Sequence, residues 1–327
     1  MDLLKLIKSK CISFRDTDSY QGIEAVIHHI EIAEKHFDQA TTTAEYLYTD
    51  VIYRTNQAFE GALKEAYRVF TGEDPSKKSP FQIEKHLEGG KLLKERVLAQ
   101  FRNYREEWRN QSTHDYQLFF SSQEALLAIT SVTAFFSILL DHMLEKHTYE
   151  TEKKRLADDA GLLFSDIDNY DALDFMQQSV ELITHFAADF KREAKGLEYP
   201  TEYAMLGKLS GFIAAADPKI AIYTDEAIEF GTRRVRIDLM LKKGDKSIIV
   251  ELKRPSTEWT RRVREGIEQV KGYLAVAGST EGIVFVPPRD DQATIEVSVR
   301  TYEEDNVVFH IAIIAPGMLH NKGQPTS

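Results

Sequence analysis

Three residues in the last third of the chain, Asp238, Glu251 and Lys253, have the types and spacing that metal-assisted and acid–base chemistry require. In VRIDLML the apolar residues Val235, Ile237, Leu239 and Leu241 alternate with Arg234, Arg236, Asp238 and Lys242, with Met240 the exception, which is the two-residue period of a strand. In SIIVELKR the apolar set is Ile248, Val250 and Leu252, so Glu251 and Lys253 share the opposite face. The intervening Lys-Lys-Gly-Asp-Lys suits a two-residue turn at Gly244 and Asp245, which sets Lys243 opposite Lys246. That turn fixes the register: Leu241 opposes Ile248, Leu239 opposes Val250, Ile237 opposes Leu252, and Asp238 opposes Glu251. Two carboxylates roughly 5 Å apart repel unless something positive lies between them. A divalent cation resolves the conflict; hard oxygen ligands select Mg²⁺ or Mn²⁺, and the backbone carbonyl of Leu252 is a third candidate ligand. Lys253, facing the same way, is placed to orient or deprotonate an attacking water and to offset phosphate charge.

Asp238, the 12 residues after it and then Glu251-Leu252-Lys253 resemble the core of the PD-(D/E)XK nucleases, found in restriction enzymes, RecB-like nucleases and Holliday-junction resolvases. The resemblance implies a glutamate on the helix before the strands. Glu202 in YPTEYAMLGKL stands at that place, with Glu198, Glu226 and Glu229 as competing candidates. After the ELK strand, Ser256 or Thr257 can cap a helix whose Trp259, Val263, Ile267, Val270 and Leu274 form a core stripe. On it Gln269 and Tyr273, four apart, share a face. They resemble the Q-x3-Y element of the RecB-like branch, which implies support of the metal site and of a substrate phosphate. ELKRPSTEW is also similar to the nuclease domain of Shedu-type phage-defence proteins.

A second constellation lies in FRNYREEWRNQSTHDY, where Arg109 and Asn110 precede His114 by five and four residues. Arg102, Arg105 and Arg109 share a helical face and can present charge to a phosphate backbone. The segment from about Thr43 to His147 resembles the HEPN family and its R-x4-6-H motif. That resemblance implies metal-independent RNA cleavage, with His114 as acid or base, Arg109 stabilising the pentavalent phosphate and Asn110 supporting them, and no cofactor. On one straight helix a five-residue step rotates by roughly 140°, so Arg109 and His114 converge only if the helix breaks or two chains combine. HEPN dimers do the latter, which implies a homodimer or higher oligomer.

The elements that must position these groups divide the sequence. With 327 residues, 43% apolar and 28% charged, the chain can bury two cores. Helical spacing over Tyr20 to Ala40 and Thr43 to Phe70, a loop at GEDPSKKSP, a helix from Lys91 towards His114 and an apolar helix capped by Ser121 or Ser122 and ending near Lys146 make residues 1–150 all-α. Residues 151–195 are expected as a helical connector. Residues 196–327 carry a helix around Glu202 to Ala215 and strand-like runs IAIY, AIEF, VRIDLML, SIIVELK, GIVFV, TIEVSV and VVFHIAII, interrupted by one helix. The expected fold class is thus multidomain α and α/β, a HEPN-like bundle followed by a mixed-sheet, restriction-endonuclease-like domain.

Cys11 is the single cysteine, which excludes an intramolecular disulfide and a Cys-based zinc cluster and fits a reducing, cytoplasmic setting. The start MDLLKLIKSKCISF lacks a signal-peptide pattern, and Ala125 to Leu140, broken by Thr130, Ser131, Thr133 and Ser137, is short for a membrane span, so no membrane association is expected. The net charge of -11 disfavours nonspecific coating of nucleic acid but leaves room for a local groove. Arg236, Arg254 and Arg262, near the ELK strand, are its candidate contacts. These features favour a nuclease acting on DNA, with RNA as the substrate of the helical half, in defence against phage or foreign DNA. The rivals are a DNA endonuclease whose helical half only dimerises or senses, and a binding scaffold with both sites degenerate.

Overall fold

A computed structural model describes residues 2–40, 44–90, 92–109, 119–157, 169–193, 200–230, 233–289, 294–304 and 306–317. The chain forms two units, Met1–His147 and Thr148–Ser327.

In the first unit, helices α1 (Leu3–Cys11), α2 (Tyr20–Gln39), α3 (Tyr46–Thr71), α4 (Pro80–Gly89) and α5 (Glu95–Tyr104) precede α6 (Ser122–Ala157), which runs past the unit boundary. Their ends follow local chemistry. Ser79 and Gln82 close a reciprocal capping box on α4, and Ser121 and Glu124 do the same for α6. Gly72, with φ +72°, ends α3 in the left-handed conformation that glycine adopts without strain. Phe59 of α3 anchors the core, its ring centroid 5.7 Å from Phe101, 4.6 Å from Tyr104 and 5.2 Å from Phe135. Lys10 of α1 donates to Ser137 and Asp141 of α6, tying the first helix to this core. By length and composition α6 could cross a membrane, but 61% of its most apolar window is buried inside the protein, as befits a core helix. It continues 11 residues beyond the expected end at Lys146, to Ala157.

The second unit is a three-layer α/β/α arrangement. Helices α7 (Phe175–Glu193) and α8 (Glu202–Ala216) lead into strands β1 (Ala221–Phe230), β2 (Arg233–Lys243) and β3 (Lys246–Leu252). After them come α9 (Trp259–Ala277), β4 (Glu281–Phe285), β5 (Ile295–Glu304) and β6 (Val307–Pro316). The sheet order is β1-β2-β3-β4-β6-β5, antiparallel except for the β3–β4 and β4–β6 pairs. Alternation decides the layers. Ile248, Val250, Leu252, Ile283, Phe285, Ala312 and Ile314 pack with α7 and α8, whereas Ile249, Val284, Ile311 and Ile313 pack with α9.

Two expectations are corrected here. The described residues within 151–195 do not stand apart as a connector: Leu156, Tyr170, Phe175 and Phe186 share a core with the sheet, and Phe186 meets Phe285 at 6.0 Å. An amphipathic helix beside an apolar sheet face buries more by joining it than by standing apart. The runs IAIY and AIEF form one strand rather than two, because Asp225 takes φ +56° and kinks β1 without ending its pairing with β2.

Candidate active site on the second unit

The β2–β3 hairpin has the register expected from its turn. Lys243 pairs with Lys246, Leu241 with Ile248 and Leu239 with Val250, and Gly244 supplies the positive φ, +61°, that such a turn needs at its first position. The regular ladder described stops at Leu239 and Val250. Beyond it the Asp238 carboxylate, not a main-chain carbonyl, accepts the Leu252 N–H at 3.0 Å. On the other side of β2, Asp225 is left-handed, and Arg236 reaches its carbonyl at 3.2 Å and its carboxylate at 3.1 Å. With both neighbours irregular at this level, Ile237 leaves the Leu239–Leu241 face and packs in the α9 layer. The expected Ile237–Leu252 pairing is therefore not formed, and Asp238 and Glu251 meet through their side chains rather than as paired residues of the ladder.

Asp238, Glu251 and Lys253 come together on the α9 side of the sheet. Glu251 is buried, and Lys253 Nζ donates to its Oε1 at 2.6 Å. The same ammonium donates to Gln269 Oε1 on α9. Glu251 Oε2 is buried and accepts no hydrogen bond among the described residues. Asp238 is raised to about 7, first by burial and then by the Glu251 charge, with a hydrogen bond between the two carboxyls adding to the rise, while the Leu252 N–H and Lys253 pull the other way. Tyr273 is pushed up to about 12 by burial and by both carboxylates, so its hydroxyl stays protonated at neutral pH, within hydrogen-bonding reach of Gln269. Five of the expected residues thus form one cluster: two crowded carboxylates, one ammonium, an amide that holds the ammonium, and a phenol.

A divalent cation fits this donor set. The orphaned Glu251 oxygen and the elevated Asp238 both mark a carboxylate pair with one lysine against two negative charges. Among the described residues no group of three or more His, Cys, Asp or Glu side chains is placed to hold a metal. Two carboxylates suffice for Mg²⁺, which keeps several waters and takes substrate oxygens. The interaction described for Leu252 is through its N–H, which fixes Asp238.

Two glycines outside the motifs, Gly266 and Gly282, let α9 come this close. A Cβ on Gly266 would stand 2.7 Å from Val284 Cγ1 and 3.4 Å from Lys253 Cε; one on Gly282 would stand 2.4 Å from Val270 Cγ1. Their signal was faint: Gly266 lies one helical turn before Gln269, in a stripe otherwise filled by larger residues.

Glu202 is the first residue of α8, exposed, with Thr201 capping that helix through the Ala204 N–H. Glu226 and Glu229 are on β1, and Glu198 lies outside the described residues. Arg236 is engaged by Asp225, Arg254 is exposed, and Arg262 meets Glu265 at 3.3 Å while its Nε is buried with no hydrogen-bond partner among the described residues. The cap of α9 is also adjusted: Ser256 Oγ accepts the Glu258 N–H, and the helix starts at Trp259.

In the first unit α5 continues as a π-helical turn, Arg105–Arg109. The side chain of Arg109, together with Asn110 and His114, falls outside the described residues. Arg102 and Arg105 reach Glu88 of α4 at 3.2 and 2.9 Å, so this stretch of the arginine stripe is taken up within the fold. Comparison with protein-family models, curated proteins and solved structures finds no match to this chain.

Proposed function

We propose that the second unit is a metal-dependent nuclease of the PD-(D/E)XK type, with DNA as its favoured substrate. The observation that carries this is the buried pair Asp238–Glu251, one oxygen of which accepts no described hydrogen bond, beside a lysine held by Gln269. Asp238 and Glu251 bind Mg²⁺ or Mn²⁺, with the Leu252 carbonyl as a third candidate ligand and Glu202 as a further acidic residue. The cation, when bound, supplies Lewis-acid activation of water and of the phosphate. Lys253 orients the attacking water and balances phosphate charge, Gln269 fixes the lysine, and Tyr273 donates to a phosphate oxygen. Arg236, Arg254 and Arg262 flank the centre as nucleic-acid contacts. A cytoplasmic role in defence against foreign DNA follows from the family company alone.

The test is cleavage of labelled duplex DNA, single-stranded DNA and RNA in Mg²⁺ or in EDTA. Asp238→Ala and Glu251→Ala lose cleavage, whereas Lys253→Ala keeps metal affinity and loses turnover by about 10²–10⁴-fold. Full activity of Asp238→Ala in Mg²⁺ overturns the assignment. For the first unit, the HEPN resemblance supports RNA cleavage by Arg109, Asn110 and His114 that survives EDTA and leaves 2′,3′-cyclic phosphate ends. The engagement of Arg102 and Arg105 by Glu88 favours the rival, in which that unit only dimerises or senses. EDTA-resistant RNA cleavage that His114→Ala abolishes and Asp238→Ala spares decides for the former; its persistence in His114→Ala decides for the latter.

A further inference from the structure

The two edges of the sheet in the second unit differ. β1 is kinked by left-handed Asp225, a feature that spoils edge-to-edge pairing. β5 has no proline, no positive φ and no lysine over Ile295–Glu304, and Glu296 to Thr301 are all exposed. Val297 is 43% and Val299 61% exposed. The direction of its main-chain groups can be read from the β5–β6 ladder. Gly317 N–H donates to Thr294 carbonyl, and Pro316, which has no N–H, pairs with Ile295. Hydrogen-bonded and non-bonded pairs alternate, so Glu296, Ser298 and Arg300 bond inward to β6 while Ile295, Val297, Val299 and Thr301 turn their N–H and C=O groups outward.

We propose that this edge pairs with the same edge of a second copy of the chain, antiparallel about a two-fold axis at Ser298. In that register Val297 opposes Val299 of the second copy, Ile295 opposes Thr301, and Glu296 opposes Arg300, each pair occurring twice. The outward main-chain groups of all four odd-numbered residues find partners. Glu296 and Arg300 fall at the closely spaced, non-bonded positions where side chains meet best. Among the described residues neither has an ion pair within its own chain. They lie on the α9 side, beside Ala315 and Ile311, and the valines lie on the other side, beside Ile314 and Ala312. One face of the junction is thus a cluster of valines and the other a pair of salt bridges. Sliding the register by two residues either way leaves both charges without opposite partners, and a four-residue slide towards the hairpin end sets Arg300 against Arg300 and Glu296 against Glu304. The charge pattern therefore selects one register and one occupant. This surface is distinct from the candidate active site, since β3, β4 and β6 separate β5 from β2.

Two Ser298 residues facing each other at a non-bonded pair have Cα atoms about 4.5 Å apart, within reach of a disulfide. The test is oxidation of the full chain carrying Ser298→Cys, followed by non-reducing electrophoresis, with exposed Thr280→Cys as the collision control. Ser298→Cys is expected to give a linked dimer well ahead of the control. Adding Arg300→Glu slows linking about tenfold, and the Glu296→Arg, Arg300→Glu exchange restores it. Val299→Pro, which removes an outward N–H and leaves the β6 ladder whole, also slows it. If thermal unfolding shows that Arg300→Glu is misfolded, Glu296→Arg reverses the same pair from the other side. Linking no faster than in the control, or a rate indifferent to charge reversal and exchange, overturns the proposal.

Discussion

Replacing Asp238 by Asn should stabilise the metal-free protein while abolishing the proposed nuclease activity. Asp238 titrates near 7 in the fold instead of 3.8, mainly because it is buried and then because Glu251 faces it. The raised value means that the folded state holds the proton more tightly. The stabilisation this gives is complete below about pH 4 and is lost as pH rises through about 7. A difference of about three units at about 1.4 kcal/mol per unit sets a ceiling near 4 kcal/mol at pH 8. Asn keeps an acceptor for the Leu252 N–H but loses the charge assistance of that bond, worth about 1 kcal/mol, and relaxation of the site lowers the gain further. A net gain of about 2 kcal/mol remains, or roughly 4–8 °C in Tm for a unit of this size. The assay is thermal unfolding of wild type and Asp238→Asn in EDTA at pH 8 and pH 5, then in Mg²⁺ at pH 8. The variant is expected to melt higher at pH 8, to match wild type at pH 5, and to gain nothing from Mg²⁺, which raises the wild-type Tm. A lower Tm for Asp238→Asn at pH 8 in EDTA, or an equal gain at both pH values, refutes the reasoning.

Gly266→Ala puts a methyl 2.7 Å from Val284 Cγ1 and against Lys253, so it should cost about 1–3 kcal/mol and lower the proposed cleavage more than the proposed metal affinity; calorimetry and single-turnover cleavage report the two. In the first unit His142 is lowered to about 3, by burial first and then by Lys94, Arg96 and Lys146. Its folded value is depressed, so stability is full above about pH 6.5 and falls as pH drops towards 3, by up to about 1.4 kcal/mol per unit. His142→Phe, which keeps the ring contact with Phe70, should flatten the fall in Tm between pH 6.5 and 5; an unchanged slope would exclude His142 as its source.

The sequence by itself determined the β2–β3 hairpin and what it carries. A glycine at the first turn position and matching apolar alternation leave one register, because a one-residue slip would turn every side chain to the wrong face. The α9 stripe was legible for the same reason: burial of one helical face forces a period near 3.6. What only the tertiary structure decided depends on neighbours distant in sequence. That α7 belongs to the sheet layer is invisible in its own amphipathic pattern, which says that a face is buried but not against what. The exit of Ile237 from its strand face comes from Asp225 on one side and Leu252 on the other, 12 residues before it and 15 after. The closeness of Lys253 to Gln269 rests on Gly266 and Gly282, where the absence of a side chain becomes informative only once the facing surface is known. The elevation of Asp238 is likewise a property of burial, and burial is set by the whole packed layer rather than by any residue near it in the chain.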